Sequence, residues 1–421
     1  MRVKFAVRAM VAGSLVWTLG VTVFGTAISD AMAADRAGLD IPASQVLQAL
    51  RDRPGAVGEG RYYVPSTTAT VRWGSLPNRD AKPLLVVPSG SVVTFDSVSH
   101  EGVLEDQGRN PAAYFGRQGV AAGAVLDDAT AIAASGMAHD FKADGPHVVT
   151  GPVAIEGARP GDVLKVEVLA LEPRVPYGVI SNRHGKGALP GEFPENDGPQ
   201  PGASADRPEL YNNVSVFTTV REVGGTQVAI LHNKAGEEIR FPIRPFMGIM
   251  GVAANTSERV HSVPPAAYGG NIDISALGVG STLYLPVMVS GANFYTGDPH
   301  FAQGNGEVAL TALEAPLRAT FRLTVIPAGD AAIPGGSPFT QPFGETAEYW
   351  IPVGLNEDLD EAMKQAVRQA IRFLSVTLGV DRAVAYAYLS AATDFEVSQV
   401  VDKTKGVHGL IRKSDFDATS F

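Results

Sequence analysis

Three stretches of the 421-residue chain gather side chains able to do chemistry. The sharpest is Gly297-Asp298-Pro299-His300-Phe301-Ala302-Gln303-Gly304-Asn305-Gly306-Glu307, with an Asp, a His, a Gln and a Glu among three glycines. Glycine frees the backbone, so these polar groups can converge on one point. An Asp-x-His pair with a Glu seven residues on supplies hard O and N donors of the kind zinc takes in catalytic sites. It could equally be a ligand set plus a general base, or a polar loop. A second candidate is His147, between the breaks Gly145-Pro146 and Gly151-Pro152 at the mouth of a strand-like run. Such breaks fix the backbone and let a ligand approach. The third is Thr94-Phe95-Asp96-Ser97-Val98-Ser99-His100-Glu101. If a strand continues through Val98, Asp96 and His100 share a face and could help ligate one cation; the alternative is a polar turn. His139, His184, His232, His261 and His408 read as surface or satisfied core residues.

No H-E-x-x-H, G-x-S-x-G or P-loop motif competes, nor a G-x-G-x-x-G in a strand–helix setting. With no cysteine there is no thiolate nucleophile, disulfide or Cys-ligated metal centre. A bound metal would rely on His, Asp or Glu.

The elements that must position these groups are mostly strands. Alternation or short apolar runs mark 69–73, two short strands around the turn Pro88-Ser89-Gly90, and two runs within 148–171 split by Arg159-Pro160-Gly161-Asp162. Further runs lie at 214–222, 226–232, 282–289 and 317–326. Segments 245–281 and 290–307 read as Gly-rich loops, and 172–211 as a long irregular stretch. Short helices are expected at 44–53 and, from an Asp cap, at 127–136. The pattern changes after a Gly/Pro linker at 329–347. Leu359, Met363, Ala366, Val367, Ala370, Phe373 and Leu374 keep a helical rhythm behind an Asp358 cap, and a second helix runs over 381–393. The expected fold is mainly β, with sandwich-like packed sheets and an α+β C-terminal section. Its expected divisions are an N-terminal segment over 34–86, a β-rich catalytic body over 87–328, and the C-terminal section over 348–421.

Composition agrees. Gly and Pro number 46 and 29, roughly 18% of the chain against ~12% usually, which suits a turn-rich β protein. Hydrophobic residues at 45% and charged residues at 19% exclude a disordered chain. Arg2, Lys4 and Arg8, an apolar stretch over 10–28 and Ala31-Met32-Ala33 read as a signal peptide cleaved after Ala33, the alternative being an uncleaved anchor. Cleavage removes three basic residues and one acid, taking the net charge from −10 to −12 over 388 residues. An exported acidic chain is a poor partner for nucleic acid, and no stable membrane association is expected after cleavage.

Several ordered blocks resemble the acetamidase/formamidase family. They are His147-Val148-Val149-Thr150-Gly151-Pro152-Val153 running on to Gly161-Asp162-Val163-Leu164, and Phe246-Met247-Gly248-Ile249-Met250-Gly251-Val252-Ala253. Pro264-Pro265, Gly269-Gly270-Asn271-Ile272-Asp273 and Gly280-Ser281-Thr282-Leu283-Tyr284-Leu285-Pro286-Val287 follow, then the 297–307 block and Ser398-Gln399-Val400-Val401-Asp402. The resemblance covers roughly 85–400. It implies a β-rich fold that hydrolyses formamide or acetamide to ammonia and a carboxylate with a divalent metal, zinc. The leader and the 172–211 loop depart from the family's pattern.

On that resemblance the metal ligands come from Asp96, His147, Asp298 and His300, with His100 in reserve or behind them. Glu307 acts with Asp298 and His300 in catalysis, as general base and acid. Asn271 and Asp273 bind the amide, and Gln303 orients the site. Backbone N–H groups of 248–251 and 269–270 face the developing oxyanion. An oligomer of identical chains is expected. Two other readings stand: an exported non-enzymatic β-sandwich that binds a small ligand, and a hydrolase of a larger amide.

Overall fold

The computed structural model describes residue 39 and residues 41–417; the expected signal peptide, 1–33, lies outside them. Among the described residues two large sheets dominate. The first runs Gly55–Gly58, Arg61–Val64, Ser91–Asp96, Leu317–Ile326, Val163–Pro173, Thr282–Pro286, Phe343–Glu345, Tyr349–Asn356, Lys405–Arg412 and Asp394–Gln399. The second runs Glu238–Pro242, Thr226–His232, Val214–Val223, Tyr177–Asn182, Leu313–Glu314, Phe294–Ala302, Phe246–Gly251 and Gly269–Asn271. Val148–Ile155 pairs with Phe294–Ala302 and carries Val71–Trp73 and Leu85–Val87.

The sheets pack face to face because each presents a buried apolar surface. Phe95 and Phe321 of the first meet Phe294 of the second with ring centroids 5.8 and 5.4 Å away, edge to face. Val166, Leu164, Leu283 and Leu323 join them from one side, Val153, Met247 and Phe301 from the other. The protein is therefore mainly β, with packed sheets and C-terminal helices.

Helix Leu359–Thr377 is capped by Asp358, whose carboxylate accepts the Glu361 N–H. It buries Ala362, Ala366, Ala370, Phe373 and Leu374 against the first sheet. Gly354 permits the contact: a Cβ there would lie 2.0 Å from the Ala362 carbonyl oxygen. The Gly/Pro stretch 329–347 is packed rather than a free tether. Ile333 is buried beside Phe373, and Phe343–Glu345 pairs with Thr282–Pro286, so one sheet runs from the body into the C-terminal section.

Several local expectations are corrected. Segment 44–53 is not a helix; only the turn Ala43–Gln45 is helical, of the 3-10 kind. Its backbone is taken by distant partners: Leu47 N–H goes to the Arg174 carbonyl, and the Leu47 and Gln48 carbonyls accept Arg174 Nε and Arg318 Nη2. Helix Asp127–Ala134 begins one residue earlier than an Asp cap would place it, with Leu126 at the cap position. Segments 245–281 and 290–307 are not mere loops. They hold the strands Phe246–Gly251, Gly269–Asn271 and Phe294–Ala302. The irregular 172–211 stretch takes in the end of strand Val163–Pro173 and all of strand Tyr177–Asn182.

Candidate metal and active site

Strand Phe294–Ala302 carries the centre of the site. Phe294 and Phe301 both enter the core between the sheets although seven positions separate them, an odd spacing that a regular strand cannot give. The strand changes face along this stretch. Asp298, at φ 51°, is its left-handed residue, and His300 folds back toward it. Asp273 and Glu307 also have positive φ, 48° each. Non-glycine residues in this region are strained, and such strain concentrates where side chains must be aimed.

Around Asp298 the chain gathers distant residues. His147, just before strand Val148–Ile155, places Nε2 3.6 Å from Asp298 Oδ2. His100, in the loop after Ser91–Asp96, places Nδ1 3.5 Å from Asp298 Oδ1 and 3.7 Å from Glu314 Oε2. His300 Nε2 lies 3.2 Å from Asp298 Oδ2 and 2.9 Å from Glu314 Oε1. Glu314 arrives on Leu313–Glu314, cross-strand from His300. All five are buried. Despite these distances, both ring nitrogens of His100 and of His300, with Asp298 Oδ1 and Glu314 Oε2, have no aligned hydrogen-bond partner. Buried polar atoms are rarely left so.

That set fits a divalent ion. Neighbouring donors on a tetrahedral ion with bonds of about 2.1 Å stand about 3.4 Å apart, and the Asp298–histidine spacings straddle that value. His100, His147 and Asp298 form one group of mutually close donor atoms; Asp298, His300 and Glu314 form another. His147 Nδ1 is 3.0 Å from Ser262 Oγ, which fixes the ring with Nε2 toward Asp298.

The electrostatics match. Burial pushes the His147 imidazole down to about 4, helped by His100 and His300, so it is a neutral donor near pH 7. Burial also opposes charge on His100, but Glu314, Asp298 and Glu101 prevail and raise it to about 10. His300 is likewise raised well above the ordinary range despite burial, by Glu314 and Asp298. Against burial, His147 and His300 hold Asp298 well below it. Without a metal, protons on histidine thus balance the carboxylates, and a metal entering here would displace them.

Beside this group lies a second, oxygen-rich one. Asp273, His300 and Glu307 bring donor atoms within 4.8 Å of one another. Burial, then Asp402, raises Glu307 well above the carboxylate range; burial, then Glu307, does the same to Asp273. The C-terminal section holds this group in place. Gly306 N–H donates to the Ser398 carbonyl, and Gln303 Nε2 donates to the Asp273 and Ser398 carbonyls. Asn271 ends its strand buried, with Oδ1 unpartnered.

Of the expected residues, the structure brings together His100, His147, Asn271, Asp273, Asp298, His300 and Glu307, with Gln303 alongside. Asp96 is not among them. Its strand ends at Asp96, so no shared face continues to His100, and both its oxygens are engaged: Oδ1 by Arg318 Nε at 2.7 Å, Oδ2 by Arg318 Nη2 at 3.1 Å and the Tyr63 hydroxyl at 2.5 Å. A carboxylate saturated by a guanidinium and a phenol is a structural anchor. Segments 248–251 and 269–270 are paired strands, so the ladder engages backbone groups that loops would leave free. Glu314 is not in any of the candidate stretches, and Glu101 and Asp402 stand in theirs without an expected role. Glu101 stands 3.2 Å from His100 Nε2 and 3.2 Å from Arg183 Nη2. A carboxylate inside the apolar run Ala312-Leu313-Glu314-Ala315 was the available signal for Glu314.

These groups open into a cavity of about 410 Å³, lined at its floor by His100, His147, Asn271, Asp298, Glu307 and Glu314. Fold and site together define a β-sandwich protein with a buried histidine–carboxylate centre suited to a divalent ion. The sequence model described as the acetamidase/formamidase family matches residues 128–259 and 252–411, and the chain belongs to that family. A formamidase of Methylophilus methylotrophus is 31% identical over 201 residues, 38% of this chain and 47% of that protein. An acetamidase of Mycolicibacterium smegmatis is 27% identical over 199 residues, 38% of this chain and 49% of that one. The chain thus spans about half the length of these curated relatives. The crystal structure of an acetamidase from Bacillus halodurans superposes with a TM-score of 0.61 at 22% identity, covering 84% of this chain and 98% of that one. That of an acetamidase from Yersinia enterocolitica gives 0.63 at 21%, covering 87% and 96%. At such identities the superpositions speak for the fold.

Proposed function

We propose that this chain is a metal-dependent hydrolase of small linear amides, releasing ammonia and a carboxylate, with zinc as the metal. The observation that carries the reading is the meeting of buried, unpartnered His100, Asp298, His300 and Glu314 atoms beside His147, at the floor of a cavity that also exposes Glu307. Family membership supports the reaction class.

The ion's ligands would be drawn from His100, His147, Asp298, His300 and Glu314, with one position left for water. When bound, it supplies a Lewis acid for the amide carbonyl and lowers the pKa of water to about 7. The remaining steps fall to the chain's own groups. Ser262 keeps the His147 ring oriented. Glu307, whose burial favours the protonated form, takes a proton from the attacking water as a carboxylate and delivers it to the departing nitrogen. Asn271 Oδ1 accepts from the amide NH₂. Burial raises Asp273 and Asp402, the latter to about 7, and so favours their uncharged forms, which limits charge repulsion around Glu307.

Ammonia release from formamide, acetamide and longer primary amides tests the reaction. Release in proportion to folded, zinc-supplied protein is expected; none across the panel would overturn the reading. We further propose export with cleavage after Ala33, so the secreted form should begin at Ala34; a mature protein still beginning at Met1 would refute that.

A further inference from the structure

Exposed cations line the cavity: Lys142, Lys186 and Lys403. They come from three separate parts of the chain: the turn before His147, the irregular segment after Tyr177–Asn182, and the turn following Asp394–Gln399. None of the three ammonium groups has an ion-pair partner among the described residues, in a chain where 44 acids outnumber 34 Lys and Arg. Among the lining acids, Asp144 is already neutralised by Arg259 at 2.8–2.9 Å. Nearby Asp106 and Glu101 are held by Arg183. The field of these lysines reaches the cavity wall: burial holds His261 below its ordinary value, and Lys403 and Lys186 lower it further.

Apolar side chains less exposed than the lysines share the lining. Phe141 packs edge-on against Tyr211 at 5.4 Å, and Leu310 and Val401 also line the cavity. The cavity volume, about 410 Å³, falls in the range of pockets that enclose drug-sized ligands, far beyond an amide of three or four heavy atoms.

From this lining, and resting on the amidase reading above, we infer that the substrate is an amide acid: a primary amide for the floor, a short apolar spacer, and an anionic group, a carboxylate, for the exposed lysines. A cationic lining on an acidic protein concentrates anions at the cavity and repels cations. At separations of about 8 Å in water each lysine is worth about a twofold gain in kcat/KM, and three about tenfold.

The test compares succinic acid monoamide with its methyl ester and with butanamide, in wild type and in the triple variant Lys142→Glu, Lys186→Glu, Lys403→Glu. Expected is a roughly tenfold preference for the anionic amide that shrinks with added salt and reverses in the variant, while butanamide turnover stays unchanged. Equal kcat/KM for charged and neutral amides, or a preference the variant retains, overturns the inference and leaves the amidase reading standing. If no amide is turned over, the amidase reading fails, and calorimetric binding of the same compounds decides the inference. Tighter binding of the anion that depends on the lysines supports it; equal affinities overturn it.

Discussion

Replacing Asp402 by Asn isolates the electrostatic strain of the site. Burial raises this carboxyl from its ordinary 3.8 to about 7, with Asp298 and Glu314 adding to the rise. A carboxyl that holds its proton more tightly when folded favours the folded state fully only below its unfolded pKa. That contribution is lost as pH rises through the folded value. The window here runs from about 4 to about 7, and the difference corresponds to on the order of 4 kcal/mol. Asp273 and Glu307 share the same buried region and take up part of the change, so about 2–4 kcal/mol is expected. The carboxamide introduced by the substitution does not titrate. In chelator-treated protein, urea unfolding at pH 4.5, 6, 7 and 8 should therefore show the variant gaining stability over wild type as pH rises, then levelling above pH 7. Parallel pH profiles for the two proteins would refute this account of the carboxylate group.

Glu307→Gln keeps the side chain's shape and removes the proton acceptor; ammonia release should fall by about 10²–10⁴ with bound metal unchanged. Gly248→Ala should weaken metal binding by roughly 10–100-fold, read by competition with a chromophoric chelator. Its Cβ would stand 2.5 Å from Asp273 Oδ1 and 2.8 Å from both Asp298 Oδ2 and His300 Cε1. Asp96→Asn should lower unfolding free energy by about 3–5 kcal/mol in urea, since Arg318 loses its buried partner, while the folded fraction keeps its metal.

Much of the site was legible because its residues stand out chemically. Asp298-Pro299-His300 and His147 sit in short polar islands flanked by Gly and Pro, and both reach the centre. What stayed hidden has physical causes. Strands Phe246–Gly251 and Phe294–Ala302 are buried on both faces almost throughout, so they lack the alternation that reveals a half-exposed strand, and their glycines read as loop. Asp96 was misplaced because local spacing cannot show that Arg318, more than two hundred positions away, would claim it. Glu314 and Asp402 are brought in by sheet pairing and by the turn after Asp394–Gln399, connections that no window along the chain contains. The capped C-terminal helices were readable because their signals are local, whereas segment 44–53 lost its helix to buried arginines from elsewhere.

The most direct measurement follows bound zinc and ammonia release in the same samples as chelator-stripped protein is titrated with the metal. Activity should vanish on stripping and return linearly, saturating as the His100, His147, Asp298, His300 and Glu314 centre fills. Stripped protein that hydrolyses amides at the full rate would contradict the assignment of that centre to a catalytic metal.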